Sequence, residues 1–234
     1  MKAFVLSDVH GCYDPFIKLL EQWDKEMQLV ILGDLIDRGD KSLGVVRHVM
    51  KLKDTYGDKV TVLEGNHEDL LLNFLNDPYG YGRMYDMVGG SDTIIDFVGN
   101  PSMMQKDILD ISKTVQQCAS REIDFIKKLP LYYEFGSVLF VHAGIDPLLA
   151  DWRNTSEETY IWTRDMVHHK NETGLTVVFG HIPTQMLHDD TSNHGIWISK
   201  DKSYICVDGG CVFGGQLNAI VISDQGEVLE EYSV

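Results

Sequence analysis

Short apolar, β-branched runs recur along this chain, and each of the first five is followed by a cluster of aspartate, asparagine or histidine beside a glycine. The runs are Ala3-Phe4-Val5-Leu6, Leu29-Val30-Ile31-Leu32, Val60-Thr61-Val62-Leu63, Val138-Leu139-Phe140-Val141, Val177-Val178-Phe179 and Tyr204-Ile205-Cys206-Val207. Strands covered on both faces look like this, because neither side chain of the period-2 alternation meets water. Helical periods lie between them. Asp14 to Lys25 places Phe16, Leu19, Leu20 and Trp23 on one face, with Asp14 as the expected N-cap and Pro15 at the first helical position. Ser42–Lys53, Glu68–Leu75 and Ser120–Leu129 read as helices too. Strands alternating with helices predict an α/β layered fold. Leu217–Ile222 and Val228–Tyr232, around Asp224-Gln225-Gly226, predict a terminal β-hairpin. The gap from Asn66 to Ser137 exceeds a plain crossover. It reads as a helical insertion around residues 76–125 on one domain spanning 1–234, with no internal repeat or linker.

The run ends carry the chemistry. The first is followed by Asp8-Val9-His10-Gly11 and the second by Gly33-Asp34-Leu35-Ile36-Asp37-Arg38-Gly39. The third meets Gly65-Asn66-His67-Glu68, the fourth His142-Ala143-Gly144 and the fifth Gly180-His181. An isolated aspartate after a strand is ordinarily a turn or a cap. A lone histidine is ordinarily a satisfied surface or core residue, which is the reading for His48, His168, His169, His188 and His194. Five strands ending alike exceed what capping explains, because in open α/β sheets the functional crevice lies beyond the strands' carboxyl ends. Asp8, Asp34, Asp37, Asn66, His10, His67, His142 and His181 are too many ligands for one tetrahedral zinc, and they include no thiolate. Mixed oxygen and imidazole donors suit a pair of Mn²⁺, Fe or Zn²⁺ ions sharing a carboxylate, the clamp used for displacement at phosphorus. Arg38 adds a planar fork for phosphate oxygens.

Composition bounds the partners. Asp and Glu number 36 against 20 Lys and Arg, a formal charge of −16. Non-specific nucleic-acid binding and docking on anionic membranes both need the opposite balance. Hydrophobic residues at 44% are ordinary for a globular protein. The opening MKAFVLSDVHG holds too short an apolar stretch for a signal peptide. Cys12, Cys118, Cys206 and Cys211 show no C-x-x-C spacing and read as reduced thiols. A cytoplasmic monomer with no nucleic-acid or membrane partner is the expectation.

The three leading motifs, in this order, resemble the signatures of the PPP-type metallophosphatases within the calcineurin-like metallophosphoesterase superfamily, and especially its compact bacterial and phage members. His142 and His181 look like that family's later metal-binding histidines. The resemblance covers essentially the whole chain. It implies an αββα sandwich of two mixed sheets and two divalent metal ions, with Mn²⁺ expected first. It implies that Asp8, His10 and Asp34 ligate one ion, and that Asp34 bridges to a second held by Asn66, His142 and His181. It casts His67 as general acid, oriented by Asp37 with its pKa raised, and Arg38, Asn66 and Arg164 as holders of the phosphoryl oxygens. A metal-bridging hydroxide would attack phosphorus directly. Arg164 also admits a plain surface reading, as an ion pair with Asp165 or Glu158.

Three functions are compatible with that resemblance. The first is a phosphatase acting on phosphoserine and phosphothreonine proteins, with phosphotyrosine and small phosphoesters as further substrates. The second is a symmetrical diadenosine tetraphosphate hydrolase, whose first motif and late segment resemble Gly11-Cys12-Tyr13-Asp14 and Asp208-Gly209-Gly210-Cys211. The third is a non-catalytic metal-binding scaffold. The retained Asp37, and Glu68 where those hydrolases tend to carry aspartate, favour the phosphatase. Residues Tyr79–Asp96, with Tyr81, Arg83, Tyr85 and Asp92, and Pro183–Ser203, with Trp197, are the candidate cleft walls.

Overall fold

Two five-stranded mixed sheets stack face to face in the computed structural model, which describes residues 1–234. In the first sheet β1 (Lys2–Leu6), β2 (Gln28–Ile31) and β3 (Val60–Val62) run parallel, and the hairpin β9 (Asn218–Ser223) and β10 (Val228–Ser233) adds antiparallel to β1. In the second, β5 (Val138–Val141), β6 (Thr176–Phe179) and β8 (Tyr204–Cys206) run parallel, edged by antiparallel β4 (Tyr132–Phe135) and β7 (Trp197–Ile198).

Side-chain alternation assigns each strand residue to one of two layers. Ala3 and Val5 of β1, Val30 of β2, Val138 and Phe140 of β5, Val178 of β6 and Ile205 of β8 meet between the sheets. Their neighbours Phe4, Leu6, Leu29 and Ile31 turn outward onto the helices of the first face. Leu139, Val141, Val177, Phe179, Tyr204 and Cys206 turn onto the opposite face, against Trp152, Tyr160 and Ile161. Every central strand is thus buried on both sides, which makes its sequence an unbroken apolar run. The arrangement is the αββα sandwich that the motifs implied.

The first face is covered by α1 (Tyr13–Leu20), α2 (Ser42–Tyr56) and α3 (Asn66–Asn76), and then by four further helices. These are α4 (Pro78–Met87), α5 (Gly90–Val98), α6 (Ile108–Cys118) and α7 (Ser120–Ile126), which fill the stretch from 76 to 125 and bury Tyr85, Ile94, Phe97, Ile111 and Val115 in the same core. The last helix, α8 (Glu157–Trp162), lies on the second sheet's outer face. None of the helices is long and apolar enough to cross a membrane.

Two local expectations are corrected. The first helix starts at Tyr13 with Cys12 as its cap, so Asp14 is not the N-cap but sits in the first turn, 2.8 Å from Lys41 Nζ. The helix stops at Leu20 rather than Lys25, and Lys25 Nζ folds back to satisfy the Leu20 and Trp23 carbonyls at 3.2 and 2.9 Å. The edge strands β4 and β7 gave no apolar run, since β4 keeps two exposed residues and β7 has only two residues.

Phe140 is fully buried between the sheets, so Phe140→Ala should cost about 3–5 kcal/mol of unfolding free energy in urea. Leu148→Ala, at a 76% exposed position, should change it by less than about 0.5 kcal/mol.

Candidate metal centre

The carboxyl ends of β1, β2, β3, β5 and β6 meet at one end of the sandwich, and the polar residues after them converge. Asp8, His10, Asp34, Asp37, Asn66, His67, His142 and His181 are each at most 6% exposed. Asp34 stands at the middle. Its Oδ2 lies 3.4 Å from His10 Nε2 and 4.0 Å from His67 Nε2, and its Oδ1 lies 3.5 Å from His142 Nε2. His10, Asp34 and His67 form one group able to hold a cation, and Asp34, His142 and His181 form a second. Asp34 belongs to both. Asp8 Oδ1 is 4.0 Å from His10 Nε2, while the Asp8 carboxylate accepts the His181 N–H at 3.0 and 3.2 Å. Asn66 Oδ1 faces His142 Nε2 at 3.1 Å and His181 Nδ1 at 2.9 Å.

The backbone is bent to make this possible. Asp8, His10, Asp34, Asp37, Arg38 and His181 have φ of 53°, 43°, 53°, 72°, 70° and 66°. Lys202 is the one other non-glycine residue in this region. Each such residue costs of order 1–3 kcal/mol, and clustering of this strain at one place marks a functional site. Close approach makes two glycines obligatory. A Cβ on Gly65 would lie 2.2 Å from Asp34 Oδ1, and one on Gly180 would lie 2.2 Å from Asp8 Oδ2.

The donor set fits divalent cations. His10 Nδ1 and His142 Nδ1 each donate to a main-chain carbonyl, of Ile36 and Leu32, both at 2.8 Å. That fixes the tautomer and leaves each Nε2 lone pair facing the cluster. Arg38 Nη1 stands 2.5 Å from His10 Nε2, a cationic donor against that lone pair. His181 Nε2 is buried without a partner. Burial, with the neighbouring Asp8 and Glu68 charges, pushes the Asp34 carboxyl well above the ordinary value, and burial beside Asp8 does the same to Asp208. Burial first, then neighbouring cationic groups, holds His10 and His67 well below theirs. Crowded buried carboxylates with unprotonated imidazoles are what a metal cation stabilises.

Two braces hold the centre, and neither was foreseen. Glu68, fully buried at the start of α3, accepts the Asp34 and Gly65 N–H groups on Oε2 at 2.9 Å each and the Leu35 N–H on Oε1 at 2.8 Å. Burial raises its carboxyl to about 7, and these three bonds pull the other way. The helical insertion supplies the second brace. Tyr85 of α4 and Thr93 of α5 donate to Asp37 Oδ1 at 2.8 and 2.6 Å, while Asp37 Oδ2 holds His67 Nδ1 at 2.7 Å. The Asp37 partnership with His67 was expected, but its electrostatic effect was not. Burial lifts the Asp37 carboxyl to about 7, and burial with the Arg38 and His142 charges lowers His67 instead of raising it. A carboxylate that is itself so desolvated does not offset the desolvation of its imidazole neighbour.

An open cavity of about 320 Å³ leads to the cluster. Arg38 and Arg164 both line it. Arg164 is exposed and makes no ion pair, so the pairing with Asp165 or Glu158 is not seen. The cavity's other walls are Val88, Trp162, Pro183, Met186, Asp208 and Phe213. Val88 comes from the expected stretch 79–96 and Pro183 and Met186 from 183–203, but Tyr81, Arg83, Tyr85, Asp92 and Trp197 do not line it. Tyr85 is turned inward to Asp37, and Trp197 packs on the second sheet's outer core. His48, His188 and His194 bond to Tyr13, Gly195 and Gly209, apart from the cluster. All four cysteines are free thiols.

The fold and site define a metallophosphoesterase. The sequence pattern of the Calcineurin-like phosphoesterase family matches residues 1–215, and the chain belongs to that family. It is 26% identical over 243 residues to the asymmetrical bis(5'-nucleosyl)-tetraphosphatase PrpE of Anoxybacillus flavithermus, covering 92% of this chain and 88% of that protein. It is 24% identical to the symmetrical bis(5'-nucleosyl)-tetraphosphatase of a Marinomonas species, covering 96% and 95%. A protein serine/threonine phosphatase from Saccharomyces cerevisiae superposes with a TM-score of 0.64 at 15% identity, covering all of this chain and 79% of that one, a likeness of fold.

Two substitutions test the braces. Glu68→Ala should cost at least about 3 kcal/mol in urea unfolding, since it removes three hydrogen bonds to a buried carboxylate. A loss below about 1 kcal/mol would show that the loops hold their shape without it. Gly180→Ala should lower the bound-metal stoichiometry, read by atomic absorption, because the new methyl displaces the Asp8 carboxylate.

Proposed function

We propose that this chain is a metal-dependent hydrolase of bis(5'-nucleosyl) tetraphosphates. The observation that carries the reading is full-length similarity to relatives named for that activity, of both the symmetrical and the asymmetrical kind. Glu68, which the sequence reading counted for a protein phosphatase, does not weigh against it. Its carboxylate is buried on main-chain N–H groups, with no contact to the cavity, so it says nothing of substrate.

In this reading Asp8, His10 and Asp34 hold one divalent cation, and Asp34, Asn66, His142 and His181 hold another, of the Mn²⁺, Fe or Zn²⁺ type. When bound, the pair supplies positive charge to the phosphoryl oxygens and acidity to the attacking water. The remaining work belongs to the chain. Arg38 and Arg164 enter the cavity near the cluster, where their guanidinium groups grip the phosphate oxygens of a highly charged substrate. That local positive charge is needed on a protein of −16. His67, pinned through Nδ1 by Asp37, turns Nε2 toward the cavity, where the negative charge of a bound phosphate offsets the burial that lowers its pKa and lets it hand a proton to the leaving oxygen. The buried hydroxyls of Tyr85 and Thr93 keep Asp37, and hence the imidazole, in one orientation.

A second reading, hydrolysis of phosphoserine or phosphothreonine esters, is favoured by the intact Asp37–His67 pair. One ³¹P NMR time course separates the two. Protein reloaded with Mn²⁺ receives a phosphoserine peptide and diadenosine tetraphosphate at equal concentration. ADP, or AMP with ATP, should appear first, and which of these appears reads the cleavage position. Free phosphate appearing first, with the dinucleotide intact, would overturn the proposal in favour of the second reading. Metal binding without hydrolysis of either would leave only a binding role.

His67→Asn should keep the metal content of the wild type and lower kcat by about 10²–10⁴-fold, the usual span for a lost general acid. His67 Nε2 also lies within reach of a cation beside His10 and Asp34. A fall in bound metal would therefore reassign it as a ligand.

A further inference from the structure

Phe213 stands in the cavity and belongs to none of the three core layers. It is 62% exposed, although it sits one side chain away from a centre whose residues are almost wholly buried. Scattered exposed apolar residues need no explanation, but this one differs in where it lies and in what touches it. The ring lines the same cavity as Asp34, Asn66 and His67. The Arg38 guanidinium carbon lies 5.0 Å from the ring centroid, and Arg38 Nη1 reaches His10 Nε2 at 2.5 Å. One arginine therefore spans from the ligand cluster to the phenyl ring. A phosphate gripped by Arg38 would therefore lie beside the phenyl ring.

The segment that carries the ring is anchored at its root. Cys211 packs on the first core layer, and Gly210 N–H donates to the buried Asp208 carboxylate at 2.8 Å. Phe213 extends beyond that anchor. Met186, 64% exposed, and Pro183 line the cavity too, so the ring shares it with apolar side chains and two arginines. A flat aromatic group joined to a chain of phosphates matches that pairing of surfaces.

We propose that Phe213 is the platform on which a nucleobase of the substrate stacks, and that it selects nucleoside polyphosphates over bare polyphosphates. The inference rests on the function proposed above and deepens it. Base–aromatic stacking needs only a π-face, so the platform accepts any of the common bases and confers selectivity for the class, not for one base. Arg38 contributes on both sides, as phosphate fork and as the cation that holds the ring in place.

The test uses the full chain loaded with Mn²⁺ and two probes, ADP and inorganic pyrophosphate, whose dissociation constants are measured by calorimetry. Phe213→Ala should weaken ADP by about 5- to 100-fold, the range supplied by one stacked base. Pyrophosphate should move by less than about twofold, well under the effect of one stacked base. Phe213→Trp should restore ADP binding. Unchanged ADP binding in Phe213→Ala overturns the inference. So does an equal weakening of both probes, which would mean that the ring acts only by positioning Arg38. Wild-type protein that leaves diadenosine tetraphosphate uncut would fell the proposed function instead, while the ratio of ADP to pyrophosphate affinity still decides whether Phe213 grips a base.

Discussion

Buried like charges crowd one end of this sandwich, and the backbone is strained to keep them there. Asp8, Asp34 and Asp208 lie within one desolvated region, and burial first, then the neighbouring Asp8 charge, lifts the carboxyls of Asp34 and Asp208 well above their ordinary values. Six of the residues at the centre hold left-handed φ values that non-glycine side chains avoid. Neither cost is relieved locally. The two packed sheets and their flanking helices over-determine the loop positions, so the strand ends stay where the chemistry needs them. Cations bound at that centre would therefore add to the stability of the whole.

The braces show how that strain is held. Glu68 ties the loop after β2 to the start of α3 through three main-chain N–H groups, so two of the five loops that meet at the centre are braced against each other. The insertion between α3 and β4 does more than cover apolar surface. Its Tyr85 and Thr93 end on Asp37, and its Gly89 carbonyl accepts the Arg38 N–H at 3.1 Å. A segment far from the cation ligands in sequence therefore sets the orientation of both the proposed acid and the proposed phosphate fork. Changes in that insertion reach the chemistry without touching a ligand.

Much of the architecture was legible because the central strands are covered on both faces and so appear as unbroken apolar runs. The ligand set was legible for a related reason. Parallel strands deliver their carboxyl ends to one edge, so the sequence alone places Asp8, Asp34, Asn66, His142 and His181 together. What stayed hidden depends on direction and distance. Residue type alone does not say that Glu68 turns inward onto N–H groups, and reading it as a mark of substrate class misjudged it. The partners of Asp37 lie 48 and 56 residues away on helices whose faces periodicity alone does not orient. The fall in the His67 pKa follows from burial that spacing does not report. Phe213, alone among glycines, carries no periodic signal at all.

The central claim is that the strained strand ends exist to hold two cations that share Asp34. Anomalous diffraction from crystals grown with Mn²⁺ tests it directly. The account predicts two peaks, both in contact with the Asp34 carboxylate, and an Arg38 guanidinium withdrawn from His10 Nε2. A single peak, or none with Arg38 still seated against His10, would contradict it and leave the strain at Asp8, Asp34 and His181 without a purpose.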